Sequence, residues 1–214
     1  KKVIKGTFLV EAAGALAYMT VFVPEFGLRG IWISVFNSIS AFCNAGMDII
    51  GENSLCDYAT NPIINGVTSA LIILSGIGYI VWWDVLRVVK QARTKRIKLF
   101  RDLTLHSKIA ITATLVLIVV GAVLILLFEY NNPQTIKEYT FWQKLEVSIF
   151  QSVTTRTAGF ASVPQQNLTN ASSVLSLLLM FIGGSPIGTA GGVKTVTFAV
   201  IILYAAATIR KKKD

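Results

Sequence analysis

Charged residues are scarce in this sequence. Asp, Glu, Lys and Arg make up only 14% of the 214 residues, while hydrophobic residues make up 53%. Soluble domains contain about 25% charged residues. The composition therefore excludes an ordinary soluble domain and predicts a membrane protein.

Residues that bind metals or carry out catalysis are also few. The sequence has one histidine, His106, and two cysteines, Cys43 and Cys56, which are too few for a disulfide framework or a metal cluster. No Ser/His or paired-carboxylate arrangement falls within the apolar stretches. We therefore expect neither an enzyme nor a bound cofactor. The net charge of +9 would suggest a nucleic-acid partner only if the cations clustered on a soluble face, and they do not.

Three apolar stretches are long enough to cross a lipid bilayer, which takes about 20 residues. They cover residues 3–23, 63–83 and 109–128, and a fourth stretch, 173–208, is longer than one span needs. Lys and Arg concentrate in residues 1–5, 87–108 and 210–213. The positive-inside rule places these regions in the cytoplasm. The sequence thus predicts an all-α, multi-pass protein with both ends of this segment cytoplasmic.

The two external connections, 24–62 and 129–171, are too long for simple hairpins. Each contains a second apolar stretch, at residues 31–43 and 140–153. As a helix, either stretch would be about 20 Å long, which is too short to cross the bilayer. Each stretch therefore predicts either a re-entrant pore helix or an amphipathic helix on the membrane surface.

An Ala-Gly pair follows each of these stretches, in residues 43–47 (CNAGM) and 156–160 (RTAGF). Aligning Gly46 with Gly159 also aligns residues 71–76 with 178–183, allowing a few residues of slack. The chain therefore consists of two copies of one unit, 1–90 and 109–214, joined by a basic linker, 91–108. Glycine at the same register favours pore loops, because it permits the dihedrals that point successive carbonyls toward an ion. The negative helix ends and the external Asp48 would attract a cation.

Residues 183–195 (GGSPIGTAGGVKT) interrupt the fourth apolar stretch. Five glycines and a proline disfavour a helix here. Irregular backbone at membrane depth is tolerated only where it is buried in protein or lines a cavity. Lys194 is either a functional cation beside the conduction path or a side chain that reaches the cytoplasmic surface.

Three stretches, 36–49, 151–163 and 180–195, resemble the Trk/Ktr/HKT superfamily of potassium transporters, in particular the membrane subunit of bacterial Ktr and Trk systems. The resemblance implies four span–pore-loop–span repeats around one pseudo-fourfold pore, of which this chain supplies the second and third. The first and fourth are expected before Lys1 and after Asp214, in a longer polypeptide. Two chains completing one pore is the alternative.

The resemblance also implies roles for particular residues. Gly46 and Gly159 match filter glycines, and the 183–195 loop matches a gate beneath the filter. The expected filter residues are Cys43, Asn44, Ala45, Gly46, Thr155, Thr157, Ala158, Gly159 and Phe160. The expected gate residues are Gly183, Gly184, Ser185, Pro186, Gly188, Thr189, Gly191, Gly192 and Lys194.

By the same resemblance, the function is potassium uptake across the plasma membrane, with K⁺ held by backbone carbonyls of the filter. The implied partners are a second membrane subunit, forming a homodimer, and a cytosolic nucleotide-binding regulatory subunit of the RCK type. Transport of sodium or of mixed monovalent cations is one alternative. A non-conducting membrane scaffold or sensor is another, because it would keep the spans without needing both glycines.

Overall fold

The computed structural model describes residues 2–51, 53–92 and 100–209, and helices joined by irregular segments make up these ranges. No β-strand occurs in them; the only β-type pairing found there is an isolated bridge between Ile182 and Val193. The helices are α1 (Lys2–Phe26), α2 (Leu28–Phe42), α3 (Pro62–Ile77), α4 (Tyr79–Ala92), α5 (Leu105–Glu129), α6 (Phe141–Thr154), α7 (Asn170–Phe181) and α8 (Thr195–Ile209). This confirms the all-α fold class.

Two of the described helices, α1 and α5, are long and apolar enough to cross a membrane by themselves. Helices α3 and α4 pass the same test together but are bent by 96°. The stretch predicted as a span at residues 63–83 is therefore two helices with a break between them and not one straight helix. The cause is Gly78, whose backbone has φ 91 and ψ 150, a conformation that L side chains rarely adopt and that glycine allows.

The order of elements repeats along the chain. Helices α1 and α2, an irregular strip that contains residues 43–46, and α3 are followed by α5 and α6, a second strip that contains residues 156–159, and α7. Helix α2 occupies the stretch predicted at 31–43, and α6 the stretch predicted at 140–153. The predicted span at 173–208 consists of α7, the 183–195 loop and α8, and α7 and α8 are each shorter than a span.

One hydrophobic core joins the two units. It contains Phe22 of α1, Phe42 of α2 and Phe150 of α6, all at most 1% exposed. Side chains that follow α6, including that of Phe160, pack into the same cluster. Burial of large aromatic side chains is a major source of packing energy, so the two strips are held by one common core.

A buried carboxylate fixes the start of α7. Glu129 is 1% exposed, and its oxygens accept hydrogen bonds from the amide and hydroxyl of Thr169, at 2.9 and 2.8 Å. They also accept from the Thr135 hydroxyl and the Asn132 side-chain amide. A buried charge requires such partners, and here they tie the end of α5 to the beginning of α7.

Parts of the predicted cytoplasmic regions lie outside the described residues. These are 93–99 of the linker and the basic tail 210–213. Helix α5 begins at Leu105, inside the stretch predicted as linker, because Thr104 caps it by accepting a hydrogen bond from the amide of Ser107.

Candidate ion-conduction site

The two strips have matching backbone conformations. Asn44 and Gly46 have φ of 52 and 66, and their aligned partners Thr157 and Gly159 have φ of 71 and 94. Positive φ is uncommon in residues other than glycine. Its recurrence at both aligned positions shows that the sequence repeat is also a repeat of local conformation.

Positive and negative φ alternate along each strip, and this alternation changes the direction in which successive carbonyl groups point. Within the described ranges, no backbone amide donates to the carbonyls of residues 43–46 or 156–159. By contrast, the residue after each glycine is anchored: the Ser40 hydroxyl donates to the Met47 carbonyl, and the Thr154 hydroxyl donates to the Phe160 carbonyl at 2.7 Å. Each strip thus presents a short run of backbone oxygens that are available to another ligand.

The strips meet at their glycines. A Cβ atom added to Gly46 would lie 2.4 Å from the Ala158 carbonyl oxygen and 2.7 Å from the Gly159 Cα atom. Side chains are therefore excluded at this contact. A cavity of about 380 Å³ opens beside the contact, lined on the strip side by Asn44, Ala45, Thr157, Ala158 and Gly159.

The other residues predicted for the filter, and Asp48, predicted for its external mouth, lie at the ends of the strips. Thr155 is the C-cap of α6, and its hydroxyl donates to the Gln151 carbonyl at 2.9 Å. The Phe160 side chain is 2% exposed and belongs to the core. Cys43 is exposed at the end of α2. Asp48 is half-buried, and its carboxylate accepts a hydrogen bond from the Ile50 amide.

The 183–195 loop lies directly against both strips. The Asn44 side-chain amide donates to the Thr189 hydroxyl at 2.7 Å, and that hydroxyl donates to the Phe42 carbonyl at 3.0 Å. In the other strip, the Thr157 hydroxyl accepts from the Gly191 amide at 2.9 Å. The aligned residues Asn44 and Thr157 therefore bind loop residues that are two positions apart in the sequence, Thr189 and Gly191.

Two basic side chains bind carbonyls of the loop. Lys194 is half-buried and donates to the Ala190 carbonyl at 2.8 Å. Arg156 is 7% exposed, and its guanidinium donates to the Gly183 carbonyl at 3.3 Å. Arg156 thus links the second strip to the first residue of the loop, just beyond the end of α7, where a cation is favoured.

The remaining loop residues hold its own shape. The Gly183 amide donates to the Val193 carbonyl, and the Thr195 amide donates to the Gly184 carbonyl. The hydroxyls of Ser185 and Thr195 are 3.0 Å apart. The two amide–carbonyl bonds satisfy backbone groups that the break between α7 and α8 leaves free.

The sequence did not predict that this loop binds the C-terminal end of α3. The amides of Ser185 and Thr189 donate to the Gly76 and Ser75 carbonyls, at 2.8 and 3.4 Å. Those carbonyls lie in the last turn of α3, where a helix has no amide donors of its own for them. The sequence feature that could have indicated this contact is Ser75-Gly76-Ile77-Gly78, which aligns with the start of the 183–195 loop.

Comparison with known proteins shows the family to which the sequence is similar. The sequence model of the TrkH family, described as a cation transport protein, matches residues 1–214. The chain is 40% identical to the potassium/sodium uptake protein NtpJ of Enterococcus hirae over 98% of its length, and 38% identical to the Ktr system potassium uptake protein B of Bacillus subtilis over 96%. It spans 44% of the length of each relative.

The fold also matches a solved structure. The crystal structure of the potassium transporter TrkH from Vibrio parahaemolyticus superimposes with a TM-score of 0.74. The match covers 98% of this chain and 41% of that one, at 19% identity, so it establishes the fold. With the family match over all 214 residues, the conclusion is that this chain belongs to the TrkH family of cation transport proteins.

Proposed function

We propose that this chain forms two of the repeats of a potassium uptake pore, with residues 43–46 and 156–159 as parts of its selectivity filter. The observation that carries the proposal is the matched backbone of the two strips, with positive φ at Asn44, Gly46, Thr157 and Gly159. Carbonyl oxygens without protein donors can replace the hydration shell of K⁺. The C-terminal ends of α2 and α6 add a favourable potential for a cation.

The 183–195 loop acts as the gate of this pore. Its hydrogen bonds to Asn44 and Thr157 support a position at the inner end of the strips. In that position it obstructs an ion that leaves the filter. The two bonds to Asn44 and Thr157 join neutral groups and contribute about 1 kcal/mol each, so the loop can separate from the strips without unfolding the surrounding helices.

The topology follows from the charge distribution. The basic residues at the start of α1 and the basic region between α4 and α5 lie in the cytoplasm, and the loops after the strips lie outside the plasma membrane. The complete protein forms a homodimer and binds a cytosolic nucleotide-binding regulatory subunit of the RCK type. Ktr system proteins among its relatives favour such an assembly.

The test is Rb⁺, K⁺ and Na⁺ uptake by potassium-starved cells that express the complete gene, with Gly159→Ala compared with Gly66→Ala. At Gly159, φ is 94 and an added Cβ would lie 3.2 Å from the Gly46 Cα atom, whereas at Gly66 it would meet nothing within 4 Å. We expect Gly159→Ala to lose about 5- to 30-fold in K⁺ uptake or in its preference over Na⁺, because strain of about 1–2 kcal/mol falls on the filter.

Gly66→Ala should keep wild-type uptake. If both variants transport like the wild type, the filter assignment is wrong, and a scaffold or sensor becomes the better explanation. If the wild type carries Na⁺ as well as K⁺, the function is mixed cation uptake. The name of the Enterococcus relative, a potassium/sodium uptake protein, makes this the second candidate.

A further inference from the structure

Three buried polar atoms around one small cavity have no hydrogen-bond partner within the described part of the chain. They are the Nε atom of Arg156, the hydroxyl oxygen of Thr114 and the side-chain oxygen of Asn44. All three residues line the same cavity, which lies where the two strips, α3, α5 and the 183–195 loop meet. Buried polar atoms in proteins nearly always have a partner, so their convergence on one cavity indicates a ligand.

Hydrogen bonds fix the orientation of the Asn44 amide. Its nitrogen donates to the hydroxyls of Ser75 and Thr189, at 2.9 and 2.7 Å. These hydroxyls donate their own protons to the carbonyls of Ile72 and Phe42, so they can only accept from Asn44. The amide nitrogen must therefore be on that side. The Asn44 oxygen is left as an acceptor that no described residue binds.

Arg156 and Thr114 bring further hydrogen-bonding groups to the cavity. The Arg156 side chain is 7% exposed. Its terminal nitrogen donates to the Gly183 carbonyl, whereas its Nε–H group has no acceptor among the described residues. Thr114 of α5 is 4% exposed, and its hydroxyl can donate or accept. The cavity thus combines a charged donor, a neutral acceptor and a group that serves as either.

This combination selects the class of ligand. The Arg156 guanidinium repels a cation, and an anion has no donor to bind at the Asn44 oxygen, which only accepts. Water donates and accepts at once, and a buried water typically makes about three hydrogen bonds. The cavity offers about 10 Å³ to the centre of a water-sized sphere, which is about what one water molecule requires. Ile72 and Val153 are among its apolar walls.

We infer that this cavity binds one water molecule, which accepts a hydrogen bond from Arg156 Nε, donates to the Asn44 side-chain oxygen and bonds to the Thr114 hydroxyl. The water joins the second strip to the first and ties both to α5. Asn44 has a φ of 52, which is uncommon outside glycine and persists only where the surroundings hold it. The water therefore helps to hold the first strip in the conformation that selects K⁺. This inference rests on the proposed function of the strips as a filter.

The effect on selectivity is tested by Rb⁺ and Na⁺ uptake into potassium-starved cells that express the complete protein. Thr114→Val removes the hydroxyl and keeps the branched shape, while Thr114→Ser keeps the hydroxyl. Thr112→Val is the matched control, because Thr112 is exposed on the same helix. We expect Thr114→Val to lower the preference for Rb⁺ over Na⁺ by up to about fivefold, the equivalent of one lost hydrogen bond. Thr114→Ser and the control should keep the wild-type preference.

A wild-type preference in Thr114→Val would overturn the inference that the water acts on the filter. A Thr114→Ser variant that behaves like Thr114→Val would overturn it as well, because the hydroxyl would then not be the cause. Absence of ion uptake by the wild type would contradict the filter function itself, and the water site is then decided by a measurement that does not depend on transport.

That measurement is electron cryomicroscopy of the complete protein in lipid nanodiscs, at a resolution that shows ordered water. We expect one water peak within hydrogen-bond distance of all three atoms. Gly76→Ala should remove the peak, because Gly76 and Ala190 both line the cavity and an added Cβ would meet only the Ala190 Cβ atom, at 4.0 Å. Gly66→Ala, in the same helix, should keep it, since its added Cβ would meet nothing within 4 Å.

The map of the wild-type protein gives the clearest refutation. No peak between the three atoms would overturn the inference, and a peak with the density of an ion would overturn the assignment to water. A peak that is unchanged in Gly76→Ala would show that the water lies outside this cavity and would likewise overturn the inference.

Discussion

The hydrogen bonds of Thr189 make the strength of the gate measurable. Its hydroxyl accepts from the Asn44 amide at 2.7 Å and donates to the Phe42 carbonyl at 3.0 Å. Thr189→Val keeps the branched shape and removes both bonds. At about 1 kcal/mol each, their loss destabilises the closed loop by about 2 kcal/mol, or roughly 30-fold in the equilibrium between closed and open.

We therefore expect Thr189→Val to raise the maximal rate of Rb⁺ uptake, by up to about 30-fold if the wild-type loop is mostly closed. The preference for K⁺ over Na⁺ should not change, because the substitution leaves the strip carbonyls in place. Thr208→Val is the matched control, since the Thr208 hydroxyl donates only within its own helix, to the Tyr204 carbonyl. Uptake that falls, or selectivity that changes while the control behaves as wild type, would refute the role of Thr189 in holding the gate closed.

Two further predictions concern regions outside the loop. Glu129→Gln should lower the thermal unfolding temperature of the purified protein, because an amide cannot accept all the hydrogen bonds that the buried carboxylate accepts from Thr169, Thr135 and Asn132; a loss of about 3 kcal/mol is expected, and an unchanged transition would contradict it. Cys56 should react slowly with an impermeant maleimide added outside cells at pH 7, in a Cys43→Ser background. Burial raises the pKa of its thiol, and the nearby Asp57 and Asp48 carboxylates raise it further. Since only the thiolate reacts, the rate should grow about tenfold per pH unit toward alkaline pH. Protection from the reagent at all pH values would argue against an external position.

The sequence predicted the features that depend on local composition and on repetition. Low charge and long apolar stretches are sufficient to indicate a helical membrane protein, because hydrocarbon leaves few alternatives to a helix. The repeated Ala-Gly pair placed both strips in register. The short helices before them are present as α2 and α6, and the family assignment is confirmed over the whole chain.

Tertiary structure decided where chain segments distant in sequence meet. The stretch at 63–83 is uniformly apolar and reads as one span, yet it turns by 96° after Ile77. Hydropathy does not record this bend, because the groups freed at Gly78 are partnered by a loop more than 100 residues later, through Ser185 and Ile187. The contacts of Asn44 were likewise not predictable. The sequence indicates only that Asn44 belongs to a strip, whereas in the structure its side-chain amide binds both Ser75 and Thr189. The sequence alone thus determined the class, the repeat and the candidate strips, while only the three-dimensional contacts decided how the loop is held, since hydrogen bonds between remote segments leave no periodic signal in the chain.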